Sequence, residues 1–525
     1  MESLIAITFV VLIGLFLLAC VPSGIANANA QFIRRLVTSL LYAEFILSLT
    51  LFATYQLVGA TPLSVHIAEV FPRSEINVGV YYDGSTSLML LLVAFVGFVV
   101  SRFSIRYLDG EAAQGRYYRW LSFTIGAVSL MVVAGNLLLF FIAWVMTSLG
   151  LHQLLLHYRH RPAAHRAAWT KFAISRFGDA LLMTALFLTW KMFGTFDLSE
   201  LFLRAETLSG KLELESGHVA IAWLLMLGAM TKSAQFPFHI WLPDTMESPT
   251  PVSALMHAGI VNAGGYLVIR MSPLISLAPN SLLTLAMIGG FTACFAGVIM
   301  MTQPSIKRAL AYSTIAQMGF MMLQCGLGAF SAAMLHIVAH SLYKAHAFLS
   351  SGSVLAKSGL TAPLSSRSVV RTSQLWALVW SAAITTVAYA ATLSAFDVNP
   401  AEKPGGFVLG FILCVALTTW GWKIFTAGRL EVSMMGALGI AALSVVYVAS
   451  YTAVDRLVSP LILPPNLFPV AQVILAAAFA SLVLLHSVLL FRSQPTWLAN
   501  LHVHAANGFY IEAVYQRLFS SLVKS

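Results

Sequence analysis

The sequence predicts an all-α polytopic membrane protein with about fourteen or fifteen transmembrane helices. Hydrophobic residues make up 59% of the 525 residues and charged residues only 10%, whereas soluble domains carry about 25% charged residues. Apolar runs of about 20 residues, the length that crosses a bilayer, recur along the chain. The transmembrane domain is therefore expected to cover residues 1–491.

Each expected span is an apolar run of suitable length. The tail that follows, residues 492–525, shows an amphipathic pattern around Phe509–Val523. We expect it to lie along the membrane surface or to contact a partner. The runs lie near 4–20, 37–58, 86–104, 119–136, 137–156, 171–190, 219–236, 250–270, 281–302, 308–326, 329–355, 373–393, 405–426, 433–453 and 468–491.

Charge in the loops predicts the orientation, because Lys and Arg concentrate on the cytoplasmic side of a membrane. The loops after the first, third and fifth spans are basic, whereas loops 61–83 and 191–215 are mainly acidic. The N-terminus is thus expected outside, and the net charge of +10 reflects topology rather than nucleic-acid binding. We expect a multi-pass protein of the cell inner (cytoplasmic) membrane, with its tail inside if there are fifteen spans and outside if there are fourteen. The basic residues are Arg34, Arg35, Arg102, Arg106, Arg116, Arg119, Arg159, Arg161, Arg166 and Lys171, and the neighbouring His152, His157, His160 and His165 are expected on the same solvated surface.

The cysteines predict neither a disulfide framework nor a metal site. Cys20, Cys294, Cys325 and Cys414 all fall in apolar runs without close pairing, so we expect buried small apolar side chains. No phosphate-binding loop, dinucleotide motif or cysteine cluster is visible. We therefore expect a transport subunit without a cofactor or metal of its own rather than an enzyme.

A broken helix is predicted between residues 228 and 270. Prolines remove backbone donors and interrupt helices, and lipid offers nothing to satisfy the freed carbonyls, so such a segment must be enclosed by protein or line a wet cavity. Lys232 precedes the first proline, and an ionisable residue inside a membrane indicates function. The alternative is a lysine that snorkels from a helix end. The predicted breaks are at Pro237, Pro243, Pro249 and Pro251.

The eleventh run places three exchangeable groups on one helix face. His336, His340 and Lys344 are spaced i, i+4 and i+8, and residues at that spacing stack along a helix. A proton or water path is the favoured interpretation, with structural hydrogen bonding or a metal site as alternatives. His257 follows the helix break and is expected to bridge Lys232 and this face.

Three further charges fall in apolar runs. Arg176 and Asp179 are three residues apart and can pair on one helix face. Their role is either structural or a modulation of the charge on Lys232. Glu44 is a third such group and a further candidate for charge modulation, and the sequence does not identify its partner.

These motifs resemble the proton-conducting membrane transporter family, which includes the antiporter-like subunits of respiratory complex I and of Mrp antiporters. The resemblance rests on 232–235, 241–244 and 249–255, and extends from 83–84 through 306–314 to 351–353. It implies two inverted five-helix repeats with broken helices within about 84–357. It also implies that Lys232 and Lys344 are proton-pathway lysines and that His336 and His340 lie on the same hydrophilic axis.

The chain departs from that family where a glutamate usually follows a tryptophan, because Trp144 is followed by Val145. The departures resemble the DabB branch, the membrane subunits of DAB inorganic-carbon accumulation complexes. That resemblance implies a large zinc-binding, carbonic-anhydrase-like partner similar to DabA, coupled by this chain to a gradient of H+ or Na+. The zinc would belong to the partner. The alternatives are an antiporter-like subunit of NADH-quinone oxidoreductase or of an Mrp antiporter, and a scaffold that has lost conduction.

Overall fold

The computed structural model describes residues 1–59, 61–69, 77–211, 214–358, 371–426, 430–458, 468–491, 496–515 and 517. Over these residues the chain is almost entirely helical, as the composition predicts. The two inverted repeats stay a prediction.

The N-terminal part consists of long helices and one β-hairpin. The hairpin lies in the acidic loop and pairs antiparallel, with Leu63 opposite Tyr82 and Val65 opposite Val80. Val80 also bridges to Ala134, so the hairpin is anchored to the helical bundle. The elements are α1 Glu2–Cys20, α2 Ser23–Ala28, α3 Ala30–Leu57, β1 Leu63–Glu69, β2 Asn77–Tyr82, α4 Gly84–Tyr107 and α5 Gln114–Val133.

The next part leads to the helix break. α7 (Pro162–Phe193) has Pro162 in its first turn, where a missing N–H costs nothing. It ends at Gly194, which adopts a left-handed conformation with φ 68°. The elements are α6 Leu137–Leu155, a 3-10 turn Leu156–Tyr158, α7 Pro162–Phe193, α8 Leu198–Leu208 and α9 Ser216–Lys232.

The proline-rich segment is interrupted, but not at all four predicted positions. Pro237 and Pro249 lie between helices, whereas Pro243 and Pro251 lie in the first turns of α10 (Trp241–Asp244) and α11 (Thr250–Ala258), where a missing N–H is tolerated. α9 ends at Lys232, before Pro237, and α11 begins at Thr250, directly after Pro249. A second interruption at Gly259 separates α11 from α12. The apolar window in Thr250–Arg270 is 94% buried, so protein encloses this segment. The elements are the 3-10 turn Phe238–Ile240, α10 Trp241–Asp244, the 3-10 turn Thr245–Glu247, α11 Thr250–Ala258, the 3-10 turn Ile260–Asn262, α12 Ala263–Arg270 and α13 Ser272–Ile275.

The C-terminal part again consists of helices that cross or border the bundle. The tail packs against it through Phe509, whose ring lies 5.5 Å from that of Phe295. The predicted amphipathic stretch beyond residue 517 lies outside the described residues. The elements are α14 Pro279–Met300, α15 Ile306–Gly326, α16 Phe330–Ser358, α17 Arg371–Ala395, the 3-10 turn Pro400–Glu402, α18 Gly406–Phe425, α19 Leu430–Val458, α20 Pro469–Phe491, α21 Thr496–Ala506 and the 3-10 turn Gly508–Tyr510.

In the described part of the chain, ten helices are each long and apolar enough to cross a membrane. α5, α9, α15, α16 and α20 pack beside them and complete the bundle. The cysteines differ from the prediction in part. Cys325 is buried, but Cys294 and Cys414 are half-buried, and Cys20 is exposed because it ends α1 on an outward face.

Candidate functional site

Lys232 is held inside the bundle by α6. Its side chain is buried, and Nζ donates hydrogen bonds to the Trp144 carbonyl at 2.9 Å and to Thr147 Oγ1 at 2.5 Å. Nζ also lies 3.9 Å from the centre of the Trp144 ring, a distance at which a cation is attracted to the ring face. Lys232 is therefore directed inward and does not snorkel.

The Trp144 side chain connects Lys232 to the predicted Arg176–Asp179 pair. Trp144 Nε1 donates to Asp179 Oδ1 at 3.1 Å, and Asp179 Oδ2 lies 2.6 Å from Arg176 Nη2. The carboxylate thus contacts the indole edge while the ammonium contacts the indole face. Asp179 and Lys232 thus contact the same tryptophan side chain from two sides.

Two glycines allow neighbouring helices to approach α9 closely enough to form this site. A Cβ atom on Gly178 of α7 would lie 2.1 Å from Thr231 Oγ1, and one on Gly264 of α12 would lie 2.3 Å from the Ala229 carbonyl oxygen. Neither distance can accommodate a carbon atom, so both positions require glycine. This close packing fixes the end of α9, and with it Lys232, against its partners.

Lys171 belongs to the same region, although the sequence interpretation assigned it to a solvated loop. That prediction is wrong: Lys171 is 3% exposed, and its Nζ donates to the Ser148 carbonyl at 2.8 Å. α7 starts nine residues earlier, at Pro162, so Lys171 lies well inside a helix. The helical spacing of Ala164, Ala168 and Lys171 was a signal that could have placed it on a buried face.

The predicted solvated histidine surface is also partly wrong. His152 and His157 are buried. Nδ1 of His152 lies 3.2 Å from the Ala168 carbonyl oxygen. Nε2 of His157 lies 2.8 Å from Glu111 Oε2. His160 and His165 are exposed, as predicted. Nε2 of His165 contacts the Arg159 carbonyl oxygen.

Lys344 forms a second buried lysine site on α16. It is fully buried, and Nζ donates to Ser313 Oγ at 2.8 Å and to the Leu310 carbonyl at 3.2 Å, both on α15. Like Lys232, it is therefore bound by one hydroxyl and one backbone carbonyl of a neighbouring helix.

The two predicted histidines of α16 continue from Lys344 along the helix. His336 Nδ1 lies 3.0 Å from Gln324 Oε1, and the His336 and His340 ring centres are 5.9 Å apart. His340 is buried, and its Nε2 has no hydrogen-bond partner among the described residues.

His257 lies on α11, which packs against α16. Its ring stacks on Phe348 with 4.4 Å between centres. Both of its buried ring nitrogens lack a partner among the described residues. Buried polar atoms normally have partners, so these two nitrogens are unusual for groups inside the bundle.

The second interruption contacts the surroundings of both lysines. Ser233, next to Lys232, donates to the Val261 carbonyl at 2.7 Å. Asn262 donates to Ser341 Oγ at 2.8 Å, three residues before Lys344 on α16. The 3-10 turn Ile260–Asn262 therefore forms hydrogen bonds beside both lysine sites.

Glu44 lies elsewhere in the bundle. It is fully buried on α3, and Oε1 accepts a hydrogen bond from Ser129 of α5 at 2.5 Å. Its other oxygen has no partner among the described residues. The partner that the sequence left open is thus Ser129, and Glu44 does not join the groups that hold Lys232.

Arg270, at the end of α12, was missed by the sequence interpretation. Its guanidinium is buried and lies 2.8 Å from Asp83 Oδ2, with further donation to Thr86 and Ser85. Burial alone would raise the pKa of the Asp83 carboxyl, but Arg270 and hydrogen bonds from Thr86 and Ser85 outweigh it and hold that pKa below its usual range. This pair lines a cavity of about 130 Å³ beside the hairpin, on the predicted outer side.

Two protein-family models match this chain. Residues 134–436 match the family model described as NADH:quinone oxidoreductase/Mrp antiporter, transmembrane, and residues 71–118 match the N-terminus of complex I chain 5. The chain belongs to the NADH:quinone oxidoreductase/Mrp antiporter family. The resemblance predicted from the motifs around Lys232 is thereby confirmed.

Within this antiporter family, relatives of similar length carry one kind of name. "Probable inorganic carbon transporter subunit DabB2" of Halothiobacillus neapolitanus is 38% identical over 449 residues, which cover 83% of this chain and 79% of that protein. "Probable inorganic carbon transporter subunit DabB" of Hydrogenovibrio crunogenus is 37% identical and covers 70% of this chain and 68% of that protein. NADH-quinone oxidoreductase subunit L of Mycobacterium tuberculosis is 37% identical but covers only 54% of this chain and 44% of that protein.

Solved structures show that the fold is that of the antiporter family. The Mrp complex from Dietzia sp. DQ12-45-1b contains a chain that aligns with a TM-score of 0.67 at 23% identity, covering 98% of this chain and 59% of that chain. A chain of an archaeal membrane-bound sulfane sulfur reductase aligns with a TM-score of 0.58 at 18% identity, covering 98% of both chains. Both structures are of membrane complexes, and this chain is a multi-pass membrane protein of the same fold.

Proposed function

We propose that this chain is the ion-conducting membrane subunit of an energy-coupled inorganic carbon (CO2/bicarbonate) uptake complex. The observation that carries the proposal is the pair of buried lysines, Lys232 and Lys344, each bound to a hydroxyl and a carbonyl of a neighbouring helix. The names of its relatives of similar length support inorganic carbon as the cargo. The complex would lie in the cell inner membrane.

In the proposed pathway, a proton moves between the two lysines through the histidines near the break. His257 and His340 lie close enough to each other and to Lys344 for charges on these side chains to interact. A neutral imidazole accepts a proton on one ring nitrogen and releases one from the other. Each transfer breaks one N–H bond and forms another, so one positive charge advances and no group is consumed.

The counter-charge in this proposal is Asp179 and not a glutamate at position 145. Val145 offers no carboxylate, whereas Asp179 reaches the Lys232 ammonium through the indole of Trp144. When Arg176 pairs closely with Asp179, it neutralises part of that charge. Movement of Arg176 would therefore change how tightly Lys232 binds its proton.

The chemistry of carbon hydration would be supplied by a large zinc-binding, carbonic-anhydrase-like partner of the DabA kind. This chain would couple that partner to a cation gradient, most simply a proton gradient, because the groups along the pathway are proton carriers. We assign no zinc ligands to this chain.

The proposal is tested with Lys232→Met and Lys344→Met in cells that depend on the complex for bicarbonate accumulation. Each variant should abolish accumulation while the complex still co-purifies. Lys191→Met is the matched control, because Lys191 lies on α7 with an exposed side chain.

Two outcomes would contradict the proposal. Wild-type accumulation in both variants, with an assembled complex, would leave the chain as a scaffold. Co-purification with the subunits of a quinone oxidoreductase or an Mrp antiporter, and without a zinc protein, would assign it to those complexes instead.

A further inference from the structure

Lys171 and Lys232 bind α6 at adjacent positions. Lys171 donates to the Ser148 carbonyl at 2.8 Å, and Lys232 donates to the Thr147 hydroxyl at 2.5 Å. Both amines are buried, and the two side chains are electrostatic neighbours. Two lysines from different helices therefore meet on one turn of α6.

The charges around this turn do not balance if both amines are protonated. Lys171, Lys232 and Arg176 would carry three positive charges, and Asp179 supplies one negative charge, already paired with Arg176. Repulsion between like charges in a buried site disfavours the doubly protonated state. The arrangement therefore favours one proton shared between the two lysines.

Two neighbouring residues of α6 that contact the amines carry hydroxyl groups. Thr147 Oγ1 donates to the Trp144 carbonyl at 2.7 Å and accepts from Lys232. Ser148 Oγ is buried and has no hydrogen-bond partner among the described residues. A buried hydroxyl without a fixed partner can accept a proton from one neighbour and give its own to another.

A third exchangeable group lies one turn further along α6, toward the predicted cytoplasmic side. His152 is buried, its ring packs against Trp169 and Phe172 of α7, and Nδ1 contacts the Ala168 carbonyl. His152, Lys171 and Lys232 thus follow the α6–α7 interface from its inner end toward the middle of the bundle.

We propose that Lys171 is a second proton-carrying residue of this pathway, which exchanges a proton with Lys232 along α6 from the cytoplasmic side. In the transfer, an Nζ–H bond of the Lys171 ammonium breaks and its electron pair stays on nitrogen. The proton passes through a hydroxyl of α6 to the lone pair of neutral Lys232, so that Lys171 becomes an amine and Lys232 an ammonium. The inference rests on the proposed function.

The competing role for Lys171 is a tether that joins α7 to the Ser148 carbonyl. Arginine distinguishes the two roles, because it keeps the charge and the donors but does not release a proton in proteins. Ser148→Ala distinguishes them as well, because it removes the hydroxyl and leaves the carbonyl that a tether needs.

The experiment measures proton flux into proteoliposomes that hold the purified complex, with a pH-sensitive dye inside. Lys171→Gln and Lys171→Arg should each lower the flux at least about a hundredfold, the lower end of the range by which a positioned acid or base accelerates proton transfer. Ser148→Ala should also lower it, and Lys191→Gln should not. Lys171→His should conduct with its optimum at lower pH, because imidazole has an ordinary pKa of about 6.5 and lysine about 10.4.

Wild-type flux in Lys171→Arg would overturn the inference. If that variant does not assemble, wild-type flux in Ser148→Ala overturns it instead. A Lys232→Met arm separates this inference from the proposed function. Wild-type proton flux in Lys232→Met would contradict the proposed function. Loss of proton flux in Lys232→Met, together with wild-type flux in Lys171→Arg, would contradict only the role of Lys171.

Discussion

Replacing Trp144 with phenylalanine should slow ion conduction without unfolding the protein. Phenylalanine keeps a ring beneath Lys232 but removes the Nε1 donor that binds Asp179 at 3.1 Å. A hydrogen bond to a charged group contributes about 1.5–3 kcal/mol. A loss of about 2 kcal/mol corresponds to roughly 30-fold in an equilibrium or a rate. We therefore expect proton flux to fall by about that factor if protonation of Lys232 limits the rate.

The assay is the same dye-reported flux in proteoliposomes, run as a double-mutant cycle with Asp179→Asn. If Asp179 acts through the indole, Trp144→Phe should add little once Asp179 is neutral, because the two groups share one interaction. Trp380→Phe is the control, because Trp380 is 61% exposed on α17. Effects of Trp144→Phe and Asp179→Asn that simply add would refute the connection through tryptophan.

Three further predictions concern packing and charge away from the contact between Trp144 and Asp179. Gly178→Val should reduce assembly of the complex, measured by co-purification, because even a Cβ there meets Thr231 Oγ1 at 2.1 Å; an unchanged yield would mean that α7 and α9 separate without cost. Asp244→Asn should stabilise the protein at pH 8 by at most about 3 kcal/mol and have little effect at pH 4. Burial first, and then Glu512, raise the pKa of Asp244 to about 6, so the charged form that prevails as pH rises through 6 is disfavoured by folding; an equal change in Tm at both pH values would contradict this. Arg270→Met should lower stability by roughly 3–5 kcal/mol, measured by thermal unfolding in detergent, because it leaves a buried carboxylate without its counter-charge; a wild-type Tm would show that water replaces the guanidinium.

The sequence was sufficient for features that depend on composition or on single residues. A chain with 10% charged residues must place most of its length in lipid, and a proline interrupts a helix when it falls beyond the first turn. Lys232 and Lys344 were recognisable because an ammonium group in an apolar run needs a reason to be there.

Other features depend on contacts between distant segments, and the sequence could not supply them. Glu44 meets Ser129 across 85 positions, and the Trp144 ring lies under Lys232 across 88. Lys171 was misplaced because a lysine just after a cluster of arginines reads as a loop residue unless the start of the helix is known. The hairpin was missed because its pairing joins two separate segments, Leu63–Glu69 and Asn77–Tyr82, and the sequence pattern does not show which segments pair.

The interruption after α11 has a practical consequence for spectroscopy. The Val261 carbonyl accepts a hydrogen bond from the residue beside Lys232, and the adjacent Asn262 amide donates to the helix that carries Lys344. Isotope labels on these two neighbouring residues would give separate infrared bands, one sensitive to each half of the protein. A time-resolved measurement on a single short segment could therefore report the order in which the two halves respond to a pH jump.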